Sequence, residues 1–211
     1  MPKIVNKEER RHDILEAAMG VFADKGYHAA SVKDVAEAAG LAKGTIYIYF
    51  ESKDAMTIAI VDRHFAGLMK QITGGALCDT LDGFLEHLRT TMDVPADQAS
   101  FHRVFFEVFG PSFASDEFTE HVARFFDRLG AHYARQIAHL QELGEIAKNL
   151  NGPSVGRVLA SMLDGVVLHR GLFEISQTRY RRMIGEAIAM LGSGLRPQHP
   201  VDNGTGVIQS D

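Results

Sequence analysis

SVKDVAEAAGLAKGTIYIYFESK, residues 31–53, decides how the rest of this chain is read. Ser31 is an N-cap type, placed to accept from the orphan N–H groups of a first helical turn. Val32, Val35, Ala36 and Ala39 follow at three- and four-residue spacing, the apolar stripe of a short helix. Gly40 stands at the stop position, where a residue without a Cβ takes the left-handed conformation at least cost. Leu41 fills the gap, and Lys43–Tyr49 forms a second short helix with Ile46 and Phe50 turned inward. Two short helices around so tight a turn make a helix-turn-helix plan, whose second helix enters the DNA major groove.

The second helix carries the chemistry for that task. No Asp or Glu occurs between Ala38 and Phe50. Lys43, Thr45, Tyr47 and Tyr49 are donors, and Lys53 follows one turn later. Tyrosine suits both phosphate hydrogen bonding and contact with thymine methyls, and an exposed Ile48 suits the methyls too. The other reading places Tyr47 and Tyr49 in the core, where aromatics commonly go. The candidate DNA-contacting residues are Ser31, Lys43, Gly44, Thr45, Tyr47, Ile48, Tyr49 and Lys53.

Residues 8–55 resemble the N-terminal DNA-binding domain of TetR-type (TetR/AcrR) transcriptional regulators. Ile14, Ala17, Ala18, Phe22, Gly26 and Tyr27 carry the first part of the likeness. Ser31, Val32, Asp34, Val35, Ala36, Ala39, Gly40, Lys43, Gly44, Thr45, Ile46, Tyr47, Tyr49, Phe50, Ser52 and Lys53 carry the second. Ala30 departs from the family's usual Thr, and Ala42 from a frequent Ser. Ala42 has no side-chain oxygen to cap a helix or meet a phosphate, which moves backbone contacts onto Lys43, Thr45 and Tyr47. The resemblance implies an all-α protein of about nine helices. A three-helix DNA-binding domain is expected over 1–53, and a ligand-binding and dimerisation domain over 54–194. Residues 195–211 lack periodicity and read as a disordered tail.

Composition bounds the class. With 211 residues the chain is long enough for a sizeable core. It has no apolar run of about 18 residues and no signal-peptide core at its start, so no membrane partner is expected. A single cysteine, Cys78, excludes an internal disulfide and fits a cytoplasmic protein. The net charge of −5 is unusual for a DNA binder, but residues 1–53 hold 8 Lys/Arg and 8 Asp/Glu. The whole acidity therefore belongs to the remainder, and phosphate binding depends on local, aimed donors.

Periodicity predicts helices over about Lys7–Lys25, Lys53–Ile72, Ala76–Asp93, Pro95–Gly110, Asp116–Leu143, Pro153–Phe173 and Ser176–Leu191, besides the two above. Arg10 and Arg11 sit at the exposed start of the first, near a passing DNA backbone or simply solvated.

Eight of the thirteen phenylalanines fall between Phe101 and Phe126. They read either as the wall of a small-molecule pocket or as a filled aromatic core. The pocket reading selects Phe101, His102, Phe105, Phe106, Phe109, Phe113, Phe125 and His132. An elongated hydrophobic effector, fatty acyl or aromatic, would fit it. Arg103, Glu107, Arg124, Arg128 and Arg135 are candidates for its polar head. The last two helices are more apolar than one buried face requires, and carry small residues such as Gly156, Ala160, Ser161 and Gly165. The resemblance makes them a four-helix dimer interface, with Val155, Leu159, Met162, Val166, Tyr180, Ile184 and Ile188 as its contacts.

These readings converge on a homodimeric, ligand-responsive transcriptional repressor on a palindromic double-stranded DNA operator. An activator would use the same contacts. The rival is a helical metalloprotein, suggested by ten histidines. A di-iron bundle needs two Glu-x-x-His motifs, and the chain has one, Glu9 to His12. No enzyme motif, cofactor site or metal site is expected.

Overall fold

Eight α-helices and no strand occur among the residues that the computed structural model describes, 7–95, 105–106, 108–173 and 175–197. The all-α expectation holds. The helix expected from Pro95 to Gly110 lies mostly outside those residues. Its described part, Phe105, Phe106, Val108 and Phe109, is helical and runs into a 3-10 turn at Gly110–Ala114. The tail beyond residue 197 also lies outside them.

Helix α1, Lys7–Lys25, buries Ile14, Leu15, Ala18 and Phe22 along one stripe. Gly26 ends it with φ at 77°. Helix α2, Val32–Ala38, starts with a full capping box: Ser31 accepts from the Asp34 amide while the Asp34 carboxylate accepts from the Ser31 amide. It stops in a Schellman motif. Leu41 N–H bonds the Ala36 carbonyl at 2.8 Å, Gly40 N–H bonds Glu37 at 3.1 Å, and Gly40 takes φ of 65°. Helix α3, Lys43–Tyr49, then begins at Ala42, which gives it no side-chain cap.

Helix α4, Lys53–Thr73, is capped by Ser52 and runs from the first three helices into the body. Helix α5 spans Leu81–Met92 and begins later than its apolar pattern predicts. Two long-range contacts explain the delay. Gln136 brackets Cys78, accepting from its N–H and donating to its carbonyl, both at 2.8 Å. Glu145 accepts the Leu81 N–H at 2.9 Å. The preceding residues stay non-helical, Leu77 remains exposed, and Thr80 becomes the cap.

Helices α6, Asp116–Glu142, and α7, Gly152–Leu172, form the most extensive helix pair. Helix α8, Gln177–Leu195, packs against α5 and more lightly against α7. No helix among the described residues is long and apolar enough to cross a membrane.

Candidate nucleic-acid interface and small-molecule cavity

Helix α3 is anchored by Ile46, which is fully buried, and by Phe50 just past its end. With that face fixed, the i, i+4 relation pairs Lys43 with Tyr47 and Gly44 with Ile48 on the outside. All four are exposed, Tyr47 at 48% and Ile48 at 71%. The Lys43 ammonium stands 5.9 Å from the Tyr47 ring centroid. Thr45 is half-buried, and so is Tyr49, which packs on the core. Of the two readings of the tyrosines, the outward one therefore fits Tyr47, and Tyr49 lies between them.

The other two candidates use their polar groups on the fold itself. Ser31 spends its hydroxyl in the capping box. The Lys53 ammonium donates to the carbonyls of Tyr27 and Ala30, at 2.6 and 3.0 Å, and lies 4.2 Å over the Tyr27 ring. It clamps the α1–α2 loop to α4 rather than standing free. Asp54 beside it accepts a short hydrogen bond from the Tyr27 hydroxyl. Burial first, and that carboxylate second, push the Tyr27 hydroxyl up to about 12. Arg11, read as lying near a DNA backbone or simply solvated, is half-buried and engaged within the fold. It donates to the Tyr49 carbonyl at 3.0 Å and lies 4.3 Å over the Phe50 ring, tying α1 to the end of α3.

A cavity of about 510 Å³ opens between α4, the end of α5, α6 and α7. That is within the ~300–1,000 Å³ range of small-molecule sites. Leu68, Ile72, Val94, Phe125, Phe126, Leu129, Leu163 and Val167 form its apolar wall, and Arg63, His64, Gln71, Thr91 and Asp164 its polar groups. Of the expected pocket residues, only Phe125 reaches it among those described. Phe101 and His102 lie outside the described residues, as do Arg103 and Glu107. Phe105 and Phe109 are core: Phe105 lies 6.4 Å from Phe65 and 5.4 Å from Phe109, which is fully buried. Phe106 and Phe113 are partly exposed partners of that cluster. His132 is buried and does not line the cavity, and burial, then Arg135 and His87, lower its pKa. Arg124, Arg128 and Arg135 are exposed and absent from the cavity wall. Phe105, Phe109 and Phe118 thus belong to the core, Phe125 and Phe126 line the cavity, and Phe106 and Phe113 are partly exposed. The sequence pattern missed α4, whose Phe65 stacks on Phe125 with centroids 4.0 Å apart.

Comparison with known proteins agrees with both halves. The family described as "Bacterial regulatory proteins, tetR family" matches residues 14–60, and "BetI-type transcriptional repressor, C-terminal" matches residues 82–193. The chain belongs to the TetR family of transcriptional regulators. YfiR, an uncharacterized HTH-type transcriptional regulator of Bacillus subtilis (strain 168), is 26% identical over 183 residues, 82% of this chain and 86% of that protein. The fatty acid degradation regulator FadR of Bacillus halodurans shares the fold, with a TM-score of 0.68 at 20% identity over 92% of this chain and all of that one. FadR of Bacillus subtilis in complex with stearoyl-CoA does too, with a TM-score of 0.62 at 19% identity over 88% of this chain and 99% of that one.

In this TetR-family regulator, three residues expected at a dimer interface are already inside one chain. Leu159, Tyr180 and Ile184 are buried, and the Tyr180 hydroxyl donates a short hydrogen bond to the Met92 carbonyl. Of the small residues of α7, Gly156 and Ala160 are buried within the same chain, whereas Ser161 and Gly165 are exposed. Gly156 lies so close to α6 that an added Cβ would stand 2.4 Å from the Gly130 carbonyl oxygen. What α7 and α8 leave outward is Val155, Met162, Val166 and Ile188, half-buried, with Val158 at 61% and Met190 at 74% exposure. A helical wheel shows that both helices carry more apolar residues than one face requires, but not which stripe a neighbour within the chain takes.

Proposed function

We propose that this regulator is a homodimeric repressor of a palindromic operator, released by a small hydrophobic effector held in the cavity between α4, α5, α6 and α7. The outer face of α3 carries the DNA half of this reading. It combines two large exposed apolar side chains, Tyr47 and Ile48, with Lys43 and no acid. A folded chain has no use of its own for such a face, whereas base edges and phosphates do. The contacts assigned are Lys43, Gly44, Tyr47 and Ile48, with Thr45 and Tyr49 at the rim and Ser31 and Lys53 acting through the positions they hold.

The match to a repressor's C-terminal region supports the sign of regulation. The mainly apolar cavity wall supports the effector's character, and a fatty acyl compound agrees with the ligand in the Bacillus subtilis FadR complex. The exposed Val158 and Met190, flanked by the half-buried Val155, Met162, Val166 and Ile188, support dimerisation, since exposed apolar patches mark interaction surfaces. A dimer places two α3 helices in successive major grooves, ~34–36 Å apart. Effector binding releases DNA only through different affinities for the two dispositions of α4.

The test is recovery of genomic fragments by the purified protein at moderate salt, followed by sequencing. One or a few enriched palindromes, lost on Lys43→Ala with Tyr47→Ala, support the reading. Uniform recovery by the wild type, after extraction of any bound small molecule, overturns it.

A further inference from the structure

One charged group on the cavity wall also touches the first three helices. Arg63 of α4 lines the cavity, and its guanidinium reaches α1. One nitrogen lies 2.8 Å from His12 Nδ1, and another donates to Glu16 Oε1 in a short contact. These use two of the five N–H donors of the arginine fork. The ion pair is well exposed, 37% at the Arg63 side chain and 58% at Glu16, so it belongs to the weakly held surface class. The cavity side of Arg63 is different. Leu68, Ile72, Phe125 and Leu129 line the same space, and a charge-assisted bond strengthens where apolar walls thin the water.

We propose that Arg63 selects effectors with an anionic head group and, on binding one, gives up Glu16 of α1. This rests on the reading of the cavity as the effector site. A carboxylate or phosphate above the apolar wall offers the fork two parallel N–H···O bonds, whereas Glu16 accepts through a single oxygen. The apolar chain then lies along Leu68, Ile72, Phe125 and Leu129. The ligand class is an amphiphile with an aliphatic tail and an anionic head, and a free fatty acid and an acyl-CoA share that chemistry. Exchange of Glu16 for the ligand removes a tie between α4 and α1 at the moment of binding.

Isothermal titration calorimetry on the full-length wild type, Arg63→Gln and Glu16→Gln tests this with laurate, dodecanol and lauroyl-CoA as probes. The wild type binds laurate about tenfold more tightly than dodecanol, the scale of one charged hydrogen-bond pair. Arg63→Gln abolishes that preference and leaves dodecanol binding in place. Glu16→Gln lies outside the cavity, yet tightens laurate binding about threefold by removing the competitor. An Arg63 dependence seen with laurate alone assigns the head to a free carboxylate; one seen with lauroyl-CoA alone assigns it to the nucleotide phosphates. Equal affinity of all three probes for the wild type, or no effect of Glu16→Gln on the anionic probe that binds, overturns the proposal while the cavity reading stands. Failure of every probe to bind overturns the cavity reading itself, and this proposal with it.

Discussion

Substitution of Gly156 by alanine separates the packing of α6 on α7 from everything else in the molecule. A Cβ at residue 156 would meet the Gly130 carbonyl oxygen at 2.4 Å, the Ala134 nitrogen at 2.7 Å and the Ala134 Cα at 3.1 Å. All three are backbone atoms, so no rotamer change relieves the overlap. Carbon contacts settle near ~3.5–4.0 Å, which requires the two helices to part by about 1 Å. A gap of ~0.5–1 Å forfeits about a quarter to a half of each dispersion contact across it. Leu129, Tyr133 and Ile137 of α6 and Leu159, Ala160 and Leu163 of α7 are all buried there. Overpacking costs ~1–3 kcal/mol, at the upper end where only backbone can yield. Alanine returns about 1 kcal/mol of helix propensity. The net expectation is a loss of about 1–2 kcal/mol.

Gly20→Ala is the matched control. It makes the same chemical change inside α1, where an added Cβ meets nothing within 4 Å. It should gain up to about 1 kcal/mol. Urea unfolding followed by circular dichroism reads both, at one fixed protein concentration because subunit association would add to apparent stability. The two midpoints should move in opposite directions. A Gly156→Ala midpoint equal to or above that of the wild type would refute the backbone-contact argument.

Tyr27 gives a pH-dependent expectation. Its hydroxyl keeps its proton to about pH 12 in the folded chain, so the folded state binds the extra proton between the ordinary tyrosine value of ~10 and 12. The associated stability is present below pH 10 and is lost as pH rises through 12; Tyr27→Phe should flatten that arm of the stability curve. Tyr180→Phe should cost ~0.5–1.5 kcal/mol, the net value of one hydrogen bond, because the Met92 carbonyl keeps the Val94 N–H as a second donor, with no change in sedimentation, since Tyr180 is internal. Val158→Asp with Met190→Asp should give monomers by analytical ultracentrifugation at unchanged helicity, because both side chains are exposed in the single chain. A dimer of wild-type mass would place the interface elsewhere.

The elements that the sequence made legible are those whose determinants are local. The Ser31 cap and the Gly40 stop lie within ten residues, and both form as the pattern requires. The start of α5 was misread because its determinants, Gln136 and Glu145, are 58 and 64 residues away from the amides they hold. The phenylalanine cluster shows the same limit. Spacing reveals a stripe on one helix, but not that Phe65, distant in sequence, packs on Phe105 and stacks on Phe125. Arg63 escaped notice because a lone arginine on a long helix reads as surface charge, and only the fold sets it between a cavity and Glu16. Leu159, Tyr180 and Ile184 failed for a related reason: hydrophobic periodicity cannot distinguish an α5 or α6 neighbour from a second subunit.

Helix α4 is attached at three levels, and their spacing constrains how an effector signal travels. At its start, Lys53 holds two carbonyls of the α1–α2 loop and Asp54 holds the Tyr27 hydroxyl. In the middle, Asp62 pairs with His121 of α6 and Arg63 with Glu16 of α1. Beyond that, Gly67, Leu68, Gln71 and Ile72 face the cavity. At ~1.5 Å per residue, Lys53 lies about 14 Å from the middle level and Ile72 about 14 Å on the other side. A pivot at Asp62 and Arg63 therefore has nearly equal arms. About 1 Å of displacement by a ligand at Leu68–Ile72 would appear as roughly 1 Å at Lys53, the size of shift that packed helical interfaces convert into discrete states. The double clamp at Lys53 and Asp54 ties the start of α4 to the α1–α2 loop, while the contact of Arg63 with Glu16 resists movement of the middle of α4 relative to α1. An effector that displaces Glu16 from Arg63 would push the lever and release its brake in the same binding event. One that only fills the apolar wall must work against that contact, so it should release operator less completely at equal occupancy.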